Sequence, residues 1–75
     1  MQHNIDAKRL LCPLPVIRLG EKIEQIQSGD LVEIIATDPG VLFDIPAWCK
    51  VHGHKILKIN EKTDGIIVIL VEKIG

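Results

Sequence analysis

Apolar and polar positions along this 75-residue chain follow two different periods. From Pro13 onward, Val16, Leu19, Ile23 and Ile26 recur at spacings of three and four, with Arg18, Glu21, Lys22, Gln25 and Gln27 between them. That pattern predicts an amphipathic helix. Pro13 suits its first helical position, and Ser28-Gly29-Asp30 marks its end. Gly20 costs the helix about 1 kcal/mol against Ala and leaves room for a neighbour to pack closely. A second helix is expected from about Val41 or Asp44 to His52, with Ile45, Trp48, Cys49 and His52 on one face. Pro46 is tolerated only in a first turn, so the regular part should begin near Asp44, which then caps it, and Gly53 suits the position just past its end.

The remaining segments read as strands. Leu31–Thr37 (LVEIIAT), Lys55–Glu61 and Ile66–Lys73 are short and rich in β-branched residues, and Thr63-Asp64-Gly65 is a strong hairpin signal between the last two. Residues 1–7 are more weakly patterned and predict a short first strand with Ile5 and Ala7 toward the core. The order is β-α-β-α-β-β. The first βαβ unit should be parallel and right-handed, and the last two strands antiparallel. Two helices cover only one face of a four-stranded sheet, so the expected fold is α+β: a two-layer α/β sandwich with a mixed sheet, forming one domain over residues 1–75. The run Ile66-Ile67-Val68-Ile69-Leu70-Val71 does not alternate as a half-covered strand should. Its outer face must expose aliphatic groups or be covered, and self-association through the open sheet face is one way to cover it.

Composition narrows the function classes. Apolar residues make up 47% of the chain and charged residues 25%, yet Phe43 and Trp48 are the only aromatics. This is a globular composition with no platform for stacking nucleic-acid bases. A net charge of −1 gives no general attraction to nucleic acid or anionic lipid, so no direct nucleic-acid contact is expected. No apolar run approaches the roughly 20 residues that span a bilayer, and residues 1–9 do not resemble a signal peptide. Two cysteines are too few for a disulfide scaffold, so a reduced, cytoplasmic protein without a membrane segment is expected.

The main candidate for chemistry is Cys12, within Leu10-Leu11-Cys12-Pro13-Leu14-Pro15-Val16. Placed at the cap of the first helix, its sulfur would meet free amides and the positive end of the helix dipole. Both favour a thiolate, the reactive form, and a persulfide anion equally. Pro13 and Pro15 lack donors, which leaves the Leu14 amide to meet the sulfur. Arg9 is near enough in sequence to assist, whereas Arg18 lies about 9 Å up the helix axis. On the residues alone, a buried structural cysteine beside Leu10 and Leu11 is an equal alternative. A thioredoxin-like centre is disfavoured, because Pro15 stands where a second cysteine is needed.

Other polar residues have simpler roles. Asp38 and Cys12 both follow strands expected to be parallel neighbours, so they share the sheet edge where α/β sites form. Asp38 therefore stands as an auxiliary site residue or, more simply, as a loop cap. Cys49 reads as core packing rather than a second reactive thiol. His52, His54 and Cys49 provide too few ligands for a zinc site, and no metal is expected. The lysines at 50, 55, 58, 62 and 73 form a solvated face or a docking patch for an acidic partner.

The segment Cys12-Pro13-Leu14-Pro15-Val16 resembles the helix-opening Cys-Pro-x-Pro-Val motif of the TusA family of sulfur carriers. Asp38-Pro39, Asp44-Ile45-Pro46-Ala47-Trp48-Cys49 and Gly53-His54 match it as well, in order and spacing, over almost the whole chain. The resemblance implies a persulfide sulfurtransferase-type carrier without a dissolved cofactor. Its motif cysteine would receive sulfane sulfur from a cysteine desulfurase or another donor. It would pass that sulfur to an acceptor protein serving tRNA thiolation, molybdenum-cofactor synthesis or another sulfur pathway. One departure is visible: the family usually has Gly three residues before the cysteine, and this chain has Arg9. A non-catalytic interaction or regulatory module that uses Cys12 only structurally is the alternative from another class.

Overall fold

The computed structural model describes all 75 residues. The elements are β1 (Gln2–Ala7), α1 (Leu14–Gln25), β2 (Leu31–Ala36), α2 (Val41–His52), β3 (Lys55–Glu61) and β4 (Ile67–Glu72). They form a four-stranded mixed sheet in the order β1-β2-β4-β3. β1 runs parallel to β2, from Gln2 opposite Leu31 to Ala7 opposite Ala36, and the other two pairings are antiparallel. The α+β sandwich expected from the pattern is the observed fold.

Side-chain alternation explains the layering. Ile5 and Ala7, then Val32, Ile34 and Ala36, then Ile67, Ile69 and Val71 turn to one side of the sheet and are buried. On α1 the buried positions are Pro15, Leu19 and Ile23, and on α2 they are Val41, Ile45 and Cys49. Each set has spacing of four, the stripe a helix needs to lie on a sheet. Gly20 does leave room for its neighbour: a Cβ there would stand 3.4 Å from the Trp48 ring. The apolar run in β4 resolves in the same way. Ile67, Ile69 and Val71 face the helices, while Val68 and Leu70 are half-buried on the open face. β3 is an exposed edge strand with an irregularity between Ile56 and Lys58, a common device against edge pairing.

One helix start differs from expectation, and the other takes the earlier of its two expected positions. α1 begins at Leu14 with Pro13 at its cap position, so Cys12 is not the cap, and the Cys12–Pro13 peptide is cis. The Leu14 amide closes a tight turn onto the Leu11 carbonyl at 2.9 Å, which delays the helix by one residue. α2 begins at Val41 rather than Asp44, with Gly40 at the cap position and Pro46 inside the helix. The Asp38 side chain turns the chain early: its Oδ1 accepts from the Gly40 amide at 3.0 Å, and the Val41 amide bonds the Asp38 carbonyl at 3.2 Å. Pro46 therefore costs α2 one internal hydrogen bond, and packing of Val41 and Ile45 in the core offsets it. The helix ends at Gly53, in the left-handed region at φ 78°, as the sequence suggests.

Candidate functional site around Cys12

Because β1 and β2 are parallel, Ala7 and Ala36 end side by side and the loops that follow them meet. One loop carries Cys12 and the other Asp38. The Cys12 amide donates to Asp38 Oδ2 at 2.7 Å, while Oδ1 of the same carboxylate holds Gly40. These two donors keep the Asp38 carboxyl below the usual carboxylate range. A second tie lies beside it: the Arg9 amide donates to Thr37 Oγ1 at 3.0 Å. Arg9 adopts φ 69°, a left-handed conformation that side chains disfavour. Glycine would hold this backbone freely, and Arg9 holds it under strain. Its guanidinium takes part in no ion pair.

The Cys12 sulfur packs against the start of α2. A Cβ built on Gly40 would lie 3.0 Å from Sγ and 3.4 Å from Asp38 Oδ1. A side chain at Gly40 is disfavoured by space, since Sγ would have to give way, and its own φ of −57° is ordinary. Asp44 lies one turn further along the same helix face, beside the thiol. Gly40 and Asp44 are the two neighbours that the sequence pattern does not assign to the site. The missed signal is the helix start: once α2 begins at Val41, positions 40 and 44 share a face.

The electrostatics reverse the expectation of a lowered pKa. Partial burial, aided by the Asp44 and Asp38 carboxylates, pushes the Cys12 thiol up to about 12. A helix N-terminus stabilises an anion by about 0.3–1 kcal/mol, less than the roughly 1.4 kcal/mol that moves a pKa by one. Two nearby carboxylates and loss of water outweigh it. Pro13, Leu14 and Pro15 supply no amide to the sulfur either, since both prolines lack a donor and Leu14 bonds Leu11. These surroundings favour the protonated thiol at Cys12 in the free protein.

Cys49 is buried on the core side of α2, and burial pushes its thiol up to about 11. Trp48 packs tilted against His52 and stacks on His54, at ring-centroid distances of 4.4 and 5.6 Å. His54 Nδ1 also accepts from the Ile74 amide at 3.1 Å. The structure ties both histidines to packing around Trp48 and brings neither to Cys12.

The sequence pattern of the sulfurtransferase TusA family matches residues 3–73. This chain belongs to that family. A sulfur carrier protein TusA of Buchnera aphidicola is 41% identical over 58 residues, covering 77% of this chain and 73% of the relative. One of Pseudomonas putida strain F1 is 40% identical over 57 residues, covering 76% and 71%. The crystal structure of a SirA-like protein from Desulfitobacterium hafniense superposes with a TM-score of 0.85 over the full length of both chains, at 22% identity, and so supports the fold alone. Membership in the TusA family makes the chain a sulfur carrier, a role that entails partners able to give and take sulfur. No helix is long and apolar enough to cross a membrane.

Proposed function

We propose that Cys12 is the residue that carries the sulfur, taking it from a cysteine desulfurase or another sulfane-sulfur donor and passing it to an acceptor protein. One observation carries this reading: of the two thiols, Cys12 alone is partly exposed, on a loop held at the carboxyl ends of two parallel strands. In the step, Cys12 sulfur attacks the terminal sulfur of the donor persulfide. A new S–S bond forms, the donor's S–S bond breaks, and the donor cysteine leaves with the electron pair and takes the proton released by Cys12. Donor-S-SH and Cys12-SH become donor-SH and Cys12-S-SH. There is no net oxidation, so no cofactor or metal is called for. Delivery repeats the step with an acceptor thiol as attacker. Asp38 acts by positioning the Cys12 backbone, and Arg9 acts through its backbone tie to Thr37.

The carrier unit is residues 1–75, and the cytoplasm, where thiols stay reduced, is the compartment proposed for it. Nucleic acid is not a direct partner, and tRNA thiolation is reached through an acceptor protein. The open sheet face is proposed as a self-association surface. There the paired positions Glu33, Leu70 and Lys58 run from acidic through apolar to basic across three strands. Two copies related by a twofold axis could therefore match acid to base. A monomer by light scattering at high concentration would remove that part.

The central test is intact-mass spectrometry after incubation with a cysteine desulfurase and cysteine. A gain of one sulfur atom, absent in Cys12→Ser, is expected. No gain, or a gain that persists in Cys12→Ser, would overturn the assignment and favour a structural role for the cysteine.

A further inference from the structure

Four large apolar side chains are exposed around the Cys12 loop and the start of α1 and α2. Leu11 is 72% exposed, Phe43 77%, Ile17 48% and Leu14 43%. Leu11 and Leu14 flank Cys12 and Pro13, and Ile17 follows Leu14 on one helix face. Phe43 belongs to the face of α2 that meets the sulfur, because Gly40, Phe43 and Asp44 are three and four residues apart. This collar of four exposed apolar side chains, gathered on the loop and the two helix starts beside a reactive group, fits a protein contact better than scattered surface. Within the collar stand two carboxylates. Asp38 and Asp44 have no ion-pair partner, since the chain's ion pairs involve only Asp30 and Glu21 as acids.

Apolar surface around carboxylates that lack a cationic partner specifies its complement. We propose that this collar docks a partner-protein segment pairing an apolar side chain with an Arg or Lys, and that this cation, seated against Asp38 and Asp44, is what frees Cys12 to react. The proposal rests on the reading of Cys12 as the sulfur-bearing residue. Desolvation of a carboxylate pair by a docked apolar surface is costly unless a cation arrives with it, so the collar also rejects partners lacking one. No cation of the chain pairs with either carboxylate: Arg9 takes part in no ion pair, and Arg18 is bound to Glu21 at 3.4 Å. At rest the carboxylates and partial burial keep the proton on Cys12. Once docked, the cation offsets them, the proton leaves to the departing donor cysteine, and exchange proceeds only in the complex. Stray oxidants and electrophiles meet a protonated thiol instead.

The test compares two rates at pH 7.5: alkylation by iodoacetamide, which needs no docking, and sulfur uptake from a desulfurase charged with cysteine. Wild-type alkylation should be at least tenfold slower than that of glutathione, an ordinary thiol. Asp44→Asn should speed alkylation, yet uptake should not rise with it, so the ratio of uptake to alkylation falls about tenfold. Phe43→Ser should lower the same ratio about tenfold through lost docking area. Alkylation as fast as glutathione's, or a ratio unchanged in both variants, overturns the docking proposal. Failure of the underlying reading looks different: the wild type then takes up no sulfur, or Cys12→Ser takes it up as well.

Discussion

The Cys12 amide and the Asp38 carboxylate, 26 residues apart in sequence, meet at 2.7 Å. This bond joins the two loops that emerge from the parallel pair β1 and β2. It fixes the cysteine backbone while leaving the sulfur partly open to solvent. With the Gly40 amide on its other oxygen, Asp38 is held ionised below the usual range. The tie is therefore full strength at neutral pH and weakens only as pH falls through that lowered value.

Gly40→Ala tests how tightly the sulfur is placed. The new methyl would stand 3.0 Å from Sγ and 3.4 Å from Asp38 Oδ1, so the thiol, the carboxylate or the helix start must move. Overpacking of this kind costs about 1–3 kcal/mol. A lower midpoint in urea and at least a tenfold slower uptake of sulfur are expected. Wild-type stability and uptake together would show that the loop yields without cost.

Arg9→Gly should act in the opposite direction on stability. Arg9 holds φ 69°, and only its backbone is bonded, through the Thr37 hydroxyl. Glycine occupies that region freely, although it also gains freedom in the unfolded chain. A net stabilisation of about 0.5–1 kcal/mol is expected from urea unfolding. Destabilisation by Arg9→Gly would mean that the arginine side chain contributes packing beyond its backbone role.

Periodicity made the layers legible and close packing made the site less so. The spacing of Leu19 and Ile23 in α1, and the alternation of Val32, Ile34 and Ala36 in β2, report burial directly. The meeting of Cys12 and Asp38 was also readable, because parallel strands bring their following loops together. The helix starts were legible only in part, since Val41 and Asp44 both stood as starts of α2. Local rules put Pro46 in a first turn, but the Asp38 turn and the burial of Val41 begin α2 earlier, and tertiary packing prevails over propensity. That shift places Gly40 and Asp44 at the sulfur, and with them the charge that raises its pKa. A helix-start cysteine suggests a thiolate only while its wider surroundings are unknown.

The last prediction concerns the far end of α2, where His54 links Trp48 to the chain after β4. Burial, with the positive charges of His52 and Lys73, holds the His54 pKa below its ordinary 6.5. Nδ1 accepts from Ile74, so the neutral ring must carry its proton on Nε2, and protonation of Nδ1 breaks the bond. The unfolded chain takes up this proton first on acidification. The stability gained from neutral His54 is thus full above about 6.5 and declines as pH falls toward the lower folded value. An NMR titration should give a His54 midpoint below 6.5. Faster exchange of the Ile74 amide and a shift of the Trp48 indole, 5.6 Å away, should follow the same curve. In His52→Asn, removal of one repelling charge should raise that midpoint. A His54 midpoint at or above 6.5, with Ile74 still protected, would show that the imidazole is solvated and that the bond to Ile74 adds nothing to the fold.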